Sequence, residues 1–304
     1  MQRRRPQAKA NQSCSVKIRH ESRAEWLGMN HRSRPLSRIA YLVNQYPKTR
    51  HCFIHRESRA LEALGLELDR YSIRSTEGGH VDPSDAEEAA RTKVILSEPS
   101  NLATSVARKT ARVPLQFAKA AKIAYEYAKV SGRGSLSHDA HLTEASVLRD
   151  AMVARNTTHV HAHFGTNSAV VAHLAHVLGG HAFSFTVHGP EEFDRVAVLA
   201  LGSTIQAAKF LAAVSEYGRS QLCRQVPRED WHKITVVRGG LERDLLSRVQ
   251  PRITNAPKLV CIGRLHEQKG QLVLLDALVS LKQRGIRCEV VLAGDGPMRE
   301  ELEH

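Results

Sequence analysis

From Ser37 onward, short apolar runs alternate with longer stretches in which apolar residues recur every three or four positions. That alternation is the pattern of a parallel sheet whose strands are joined by crossover helices. Residues 39–44 are the first predicted strand, followed by a loop over 45–52 and a helix in which Phe53, Ala60 and Leu64 share one face and Gly65 ends it. Residues 66–74 return as a strand. An acidic, turn-rich stretch covers 82–88, residues 93–96 read as a short strand, and 102–155 read as mostly helix interrupted at Gly132 and Gly134. The clearest strand–helix–strand unit comes next: strand 159–164, a turn at Gly165, helix 167–178 with Asn167 as N-cap, a stop at Gly179-Gly180, and strand 182–187. A strand over 210–214 ends at Ser215, which is placed to cap a helix over 216–225, and 233–238 is a further strand.

After Gly239-Gly240 the chain turns polar and rich in Arg and Pro as far as Pro257. A second alternation then starts, with a strand over 258–262, a basic turn, a helix, a strand over 288–293 and the turn Gly294-Asp295-Gly296-Pro297. The predicted organisation is a basic tail over 1–37, a Rossmann-like domain over 38–245, and a linker with the opening of a second such domain over 246–304. The fold class is α/β with a parallel sheet. A doubly wound sheet needs more strand–helix units than 257–304 supplies, so the expectation is a chain impaired on its own, with a complementary C-terminal fragment as a partner.

Composition changes this picture little. The net charge of +13 would raise nucleic acid as a partner, but residues 1–38 hold ten Lys/Arg against Glu21 and Glu25, so +8 of it sits in the aperiodic start, which reads as disordered. No specific nucleic-acid partner is expected. The five cysteines are odd in number and lack a C-x-x-C, which argues against a disulfide framework or zinc knuckle and for a reducing cytosol. No apolar run approaches the ~20 residues that span a bilayer. Lys119, Lys122, Glu126 and Lys129 fall on one face of a helix over 115–130, near Arg108, Lys109 and Arg112. A solvated face and a peripheral contact with anionic lipid on the inner membrane face both fit that stripe.

Ligands of parallel sheets gather at the carboxyl ends of the strands. His163 in HVHAHFGT and His188 in SFTVHGPEEFD both stand at such ends beside glycine turns, where an imidazole can exchange a proton with a sugar hydroxyl or simply bond a neighbouring loop. His159, His161 and His163 alternate on one strand face, a spacing that admits a metal ion and, with it, a hydrolase reading. Nothing else in the sequence completes a ligand shell, and no metal is assigned. Glu191, Glu192 and Asp194 follow His188 at a helix start, suited to capping or to acceptor hydroxyls. In the second domain Gly263-Arg264-Leu265 and Gln268-Lys269-Gly270 set a guanidinium and an ammonium beside a helix N-terminus, the makings of a diphosphate clamp. Gly294 opens a second tight turn at the same sheet edge, although a lone G-x-G is usually just a turn.

Taken in order, YLVNQYP…FIHRE, HVHAHFGTNSA, FSFTVHGPEEFD, VVRGGLE and LVCIGRLHEQKG…VVLAGDGP resemble the retaining GT-B-fold glycosyltransferases of family 4, especially those that build exopolysaccharides such as colanic acid. The resemblance runs from about residue 38 to the end. It implies two Rossmann-like domains facing a cleft, the first for a glycan or lipid-linked acceptor and the second for a nucleotide-sugar donor, with no metal and no further cofactor. It puts Gly263, Arg264, Lys269 and Gly294 on the donor diphosphate, His163 and His188 beside the reacting sugar, and Asn44, Tyr46, Gly189 and Glu191 on the acceptor side. Two departures stand out: the family's E-x7-E segment has no counterpart before His304, and the loop 48–52 carries Arg50 and Cys52 where similar sequences show small hydroxyl residues. A non-catalytic acceptor-binding or split-enzyme partner shares the same fold and stays an alternative.

Overall fold

The computed structural model describes residues 38–48, 51–76, 83–97, 99–131, 134–194, 200–241 and 258–304. The basic tail, Arg50 and the link over 242–257 lie outside the described residues. The chain divides into two compact units at Gly240/Leu241.

In the first unit seven parallel strands form one sheet: β1 (Arg38–Gln45), β2 (Glu67–Arg74), β3 (Thr92–Val94), β4 (His159–His163), β5 (Phe183–Val187), β6 (Phe210–Ala213) and β7 (Ile234–Val236), in the order β3-β2-β1-β4-β5-β6-β7. Helix α1 (Cys52–Ala63) follows β1 and packs Ile54, Phe53 and Leu61 against Tyr41 and Val43. Helix α2 (Pro83–Arg91) precedes β3, and α3 (Pro99–Arg112), α4 (Pro114–Ser131) and α5 (Gly134–Ala154) follow it. Helix α6 (Asn167–Val177) leaves β4 and buries Ala169, Val171, Ala172 and Leu174 against the opposite side of β1, where Ala40 and Leu42 point. Because successive residues of a strand face opposite ways, the connections after β1 and β4 leave on different faces. The crevice between those two strand ends is the topological switch point, where doubly wound sheets take their ligands.

Three expectations change. The helical region expected over 102–155 is also broken at Val113, before Pro114, because proline disfavours a helical residue before it; residues 132–133, by the expected glycine interruption, lie outside the described residues. Residues 95–96 belong to a 3-10 turn over Ile95–Ser97 rather than to the strand. The acidic stretch read as turn is α2, with Pro83 at its first position, where a missing N–H costs nothing, and Asp85 in its first turn.

Helix α2 forms because its Glu88 has a partner that sequence periodicity does not reveal. Glu88 is buried and accepts from Arg70 Nε at 2.8 Å and from Tyr46 Oη at 2.8 Å, with His55 Nε2 3.4 Å away. Arg70, also buried, gives a second donor to Glu62 of α1 at 2.8 Å. One guanidinium therefore ties β2, α1, α2 and the segment after β1 together. Removing one member of such a buried set strands the other charge, at about 3–5 kcal/mol. Glu88→Ala is expected to lower unfolding free energy by about that amount in a denaturant titration; a change under about 1 kcal/mol would mean that water compensates Arg70.

Candidate functional site

The carboxyl ends of β4 and β5 meet through their histidines. His163 is fully buried, and its Nδ1 lies 3.3 Å from His188 Nε2, with the two rings stacked at 5.5 Å. His188 is further boxed by Phe53 of α1 and by Phe164, each ring centroid 4.7 Å away. Phe164 takes a left-handed φ of 71°, a conformation disfavoured for a bulky residue, and this carries the chain from β4 into the turn at Gly165. Gly165 has no room for a side chain, since a Cβ there would sit 2.9 Å from Leu201 Cδ1 and 3.1 Å from Val187 Cγ2.

Glu192 locks the two strand exits. Its carboxylate is buried and accepts from the backbone N–H of His188 at 2.7 Å, of Gly189 at 3.1 Å, and of Gly165. Capping and acceptor contact are the two roles expected of Glu191, Glu192 and Asp194 alike, with Glu191 placed on the acceptor side by the family resemblance; the side chain of Glu191, in the short helix Pro190–Phe193, lies outside the described residues. Gly189 itself faces open space.

Below the site, the imidazoles of β4 are satisfied by hydroxyls on β5. His161 Nδ1 lies 2.7 Å from Ser184 Oγ and its Nε2 2.8 Å from Thr186 Oγ1, while His159 Nε2 shares the same Ser184 hydroxyl at 2.7 Å. The strand register makes this pairing, with His161 opposite Ser184 and His163 opposite Thr186. Burial holds every one of these imidazoles in the neutral form: His161 falls to about 3, His159 and His188 to about 4, and His163 well below its ordinary value. Near neutrality, then, His188 offers hydrogen bonding rather than charge, and the fully buried His163 faces it through Nδ1.

Glu57 brings a carboxylate to within 4.8 Å of ligand atoms on His161 and His163, and it accepts from Tyr41 Oη at 2.6 Å. Both nitrogens of His161 are already taken by hydroxyls, so a metal here would have to displace one of them; His163 Nε2, by contrast, is buried with no partner. The trio differs from the His159, His161 and His163 set that strand spacing suggested.

Of the acceptor-side expectations, Asn44 stands at the end of β1 with a buried, unpartnered Oδ1, as suits a ligand-binding group at the switch point. Tyr46 is buried and its hydroxyl is spent on Glu88, so it shapes the segment instead of facing a ligand. Thr166, not Asn167, is the N-cap of α6, and no side chain caps that helix. Ser215 does cap its helix, accepting from Gly218 N at 3.0 Å. Sequence patterns also passed over Glu144 on α5, buried with both oxygens unpartnered and its pKa raised by burial to about 7.

In the second unit β8 (Lys258–Ile262) and β9 (Glu289–Ala293) pair in parallel across the helix Gln271–Gln283. The turns that follow the two strands touch: Leu265 N donates to Asp295 O at 3.0 Å, and a Cβ on Gly294 would run into the carbonyl of Gly263. Gly263 and Gly294 are thus backbone neighbours. Buried Gln271 donates to the Arg264 carbonyl at 2.9 Å. The backbone is pinned, but the Arg264 and Lys269 side chains are exposed, and among the described residues neither makes an ion pair or side-chain hydrogen bond.

Two expectations follow from this geometry. Unfolded imidazoles protonate near 6.5, while those of β4, His173 and His188 resist down to about 4 or lower. The unfolded state then binds more protons across that window, outnumbering the opposite contribution of the raised Glu57 and Glu144. Stability should therefore fall as pH drops from about 6.5 towards 4; melting temperatures that stay level or rise on acidification would contradict it. Separately, Glu192→Ala leaves three N–H groups without their acceptor and should cost about 3 kcal/mol by chemical denaturation, with a near-neutral result pointing to replacement by water.

Residues 256–304 match the family described as Glycosyl transferases group 1. Over 119 residues the chain is 27% identical to the Alpha-D-kanosaminyltransferase of Streptomyces kanamyceticus, a stretch that is 36% of this chain and 31% of that protein. Over 42 residues it is 50% identical to the Putative glycosyltransferase EpsF of Bacillus subtilis (strain 168), covering 14% of this chain and 11% of that one. The matches thus span less than a third of these relatives. Among solved structures, Anabaena Alr3699/HepE in complex with UDP and glucose superposes with a TM-score of 0.54 at 14% identity, over 86% of this chain and 62% of the other. Sucrose-phosphate synthase (tll1590) from Thermosynechococcus elongatus gives 0.52 at 11% identity, over 85% and 70%. Likeness at such identities is one of architecture, and the architecture is the Rossmann-like α/β fold of the GT-B class.

Proposed function

We propose that this chain serves glycosyl transfer from a nucleotide-sugar donor to a glycan or lipid-linked acceptor, with retention of configuration and without a metal. The observation that carries the reading is the basic turn of the second unit, where Arg264 and Lys269 stand exposed and, among the described residues, unpaired on a pinned backbone inside the stretch that matches Glycosyl transferases group 1. As the bond from the anomeric carbon to the diphosphate breaks, negative charge grows on the leaving oxygens. A forked guanidinium and a point-charge ammonium stabilise that charge, the role a divalent ion would otherwise fill. The UDP bound to HepE supports a nucleoside diphosphate as the leaving group.

On the first unit, His188 is the group for the reacting hydroxyls. Neutral and boxed by aromatic rings, it offers one nitrogen to an incoming hydroxyl while His163 holds the other. Asn44, with its free Oδ1, belongs to the acceptor side, as does the Gly189 turn. In this reading His188 contacts substrate and His163 positions it.

Calorimetric titration with UDP, ADP and GDP tests the donor side. Binding of at least one is expected, weakened about a hundredfold by Arg264→Ala and less by Lys269→Ala, in keeping with the loss of charge-assisted contacts worth roughly 1.5–3 kcal/mol each. If none of the three nucleotides binds, or if both variants bind as the parent does, the reading is wrong.

A further inference from the structure

Of the four ring nitrogens on His161 and His163, three are answered from the β5 side. His161 spends both of its nitrogens on the hydroxyls of Ser184 and Thr186, and His163 Nδ1 lies 3.3 Å from His188 Nε2. His163 Nε2 is left over, fully buried and, among the described residues, without a hydrogen-bond partner. An orphan of this kind is costly, so a group suited to meet it should stand nearby.

Glu57 of α1 is that group. Its carboxylate lies within 4.8 Å of ring nitrogens on both His161 and His163. Since His161 has no nitrogen to spare, His163 Nε2 is the one open to it. Glu57 Oε1 accepts from Tyr41 Oη at 2.6 Å, which leaves Oε2 to turn toward the imidazole. The buried Tyr41 ring also stands edge-on to His163, with centroids 4.8 Å apart, so one side chain steadies both partners. Burial pushes the Tyr41 phenol well up and keeps it the donor in this bond. Burial raises the Glu57 carboxyl too, and the bond from Tyr41 opposes that rise, which favours the ionised form.

Valence then decides where the protons sit. A carboxylate only accepts, so an imidazole that meets Glu57 carries its proton on Nε2. Burial holds each ring neutral with a single proton, which leaves His163 Nδ1 bare and able to accept from His188 Nε2–H. His188 Nδ1 is bare in turn.

We propose that Glu57 is a positioning residue, fixing His163 as the Nε2–H tautomer and, through it, His188 with a bare Nδ1 that accepts from the acceptor hydroxyl. The identity of that hydroxyl rests on the glycosyl-transfer reading above; the tautomers themselves do not. In the opposite arrangement His163 Nδ1–H donates, and His188 then carries Nδ1–H, which gives a hydrogen bond to a hydroxyl oxygen and cannot receive one. A single carboxylate on α1 thus selects between an accepting and a donating site.

Long-range proton–nitrogen correlation spectra of the full chain, labelled at histidine with nitrogen-15, read each tautomer without substrate. Signals missing from His163→Gln and from His188→Gln identify the two rings. Near neutral pH both are expected to be protonated at Nε2 in the parent. Glu57→Leu removes the acceptor and should raise the Nδ1–H population of both rings about tenfold, with unchanged His159 and His161 signals showing an intact sheet. Glu57→Asp keeps a carboxylate and should hold the parent tautomers. A parent in which His188 is protonated at Nδ1 overturns the proposal by itself, and so does a Glu57→Leu chain that keeps the parent pattern. Titration of the parent with UDP, ADP and GDP separates the two readings. Expected tautomers in a chain that takes no nucleotide would leave the hold of Glu57 standing and sink the transfer reading, whereas reversed tautomers in a chain that binds nucleotide would do the opposite.

Discussion

Imidazoles can lie inside this sheet because the neighbouring strand answers His159 and His161 with hydroxyls in register. Ser184 serves His159 and His161 together, and Thr186 takes the second nitrogen of His161. Buried polar groups without partners are costly, so this matching lets a polar strand occupy the centre of the fold. It also delivers His163 and His188, neutral and in contact, to the carboxyl edge. The hydroxyls of β5 hold the lower histidines, the aromatic rings wall in the upper ones, and the Glu192 carboxylate fixes the two turns that end the strands. Each layer depends on the one beneath it.

Much of this was legible in the chain. Alternating apolar runs gave the parallel sheet and its crossover helices, and the histidine-bearing strand ends led directly to the pair that meets in space. Strand order and the divergence at β1 and β4 are properties of topology, which periodicity only suggests. What escaped were partnerships between residues far apart in sequence. Helix α2 looked like a turn because its acidic residues read as solvated, whereas Glu88 is anchored by Arg70 from another element. Tyr46, which the family resemblance puts on the acceptor side, gives its hydroxyl to Glu88 of another element. Glu191 and Glu192 are adjacent and chemically identical, and only the curvature of the turn decides which carboxylate reaches the backbone of Gly165.

The two units divide the chemistry along lines of polarity. The first gathers neutral, hydrogen-bonding groups that have lost contact with water, suited to hydroxyls. The second keeps its cations in solvent on a rigid loop, suited to phosphate. Such a division fits a reaction in which one partner is a polyol and the other departs as an anion. The histidines, with their low proton affinity, are ill fitted to stabilise negative charge.

The abutting glycine turns of the second unit carry one more implication. Since the Gly263 carbonyl occupies the space where a Gly294 side chain would go, the loop bearing Arg264 and the loop after β9 are a single mechanical body. A guanidinium mounted that way does not shift by hinge motion of its own loop apart from the neighbouring turn. Whatever spread of positions Arg264 explores comes from its side-chain torsions alone, so its reach is bounded by the length of one arginine.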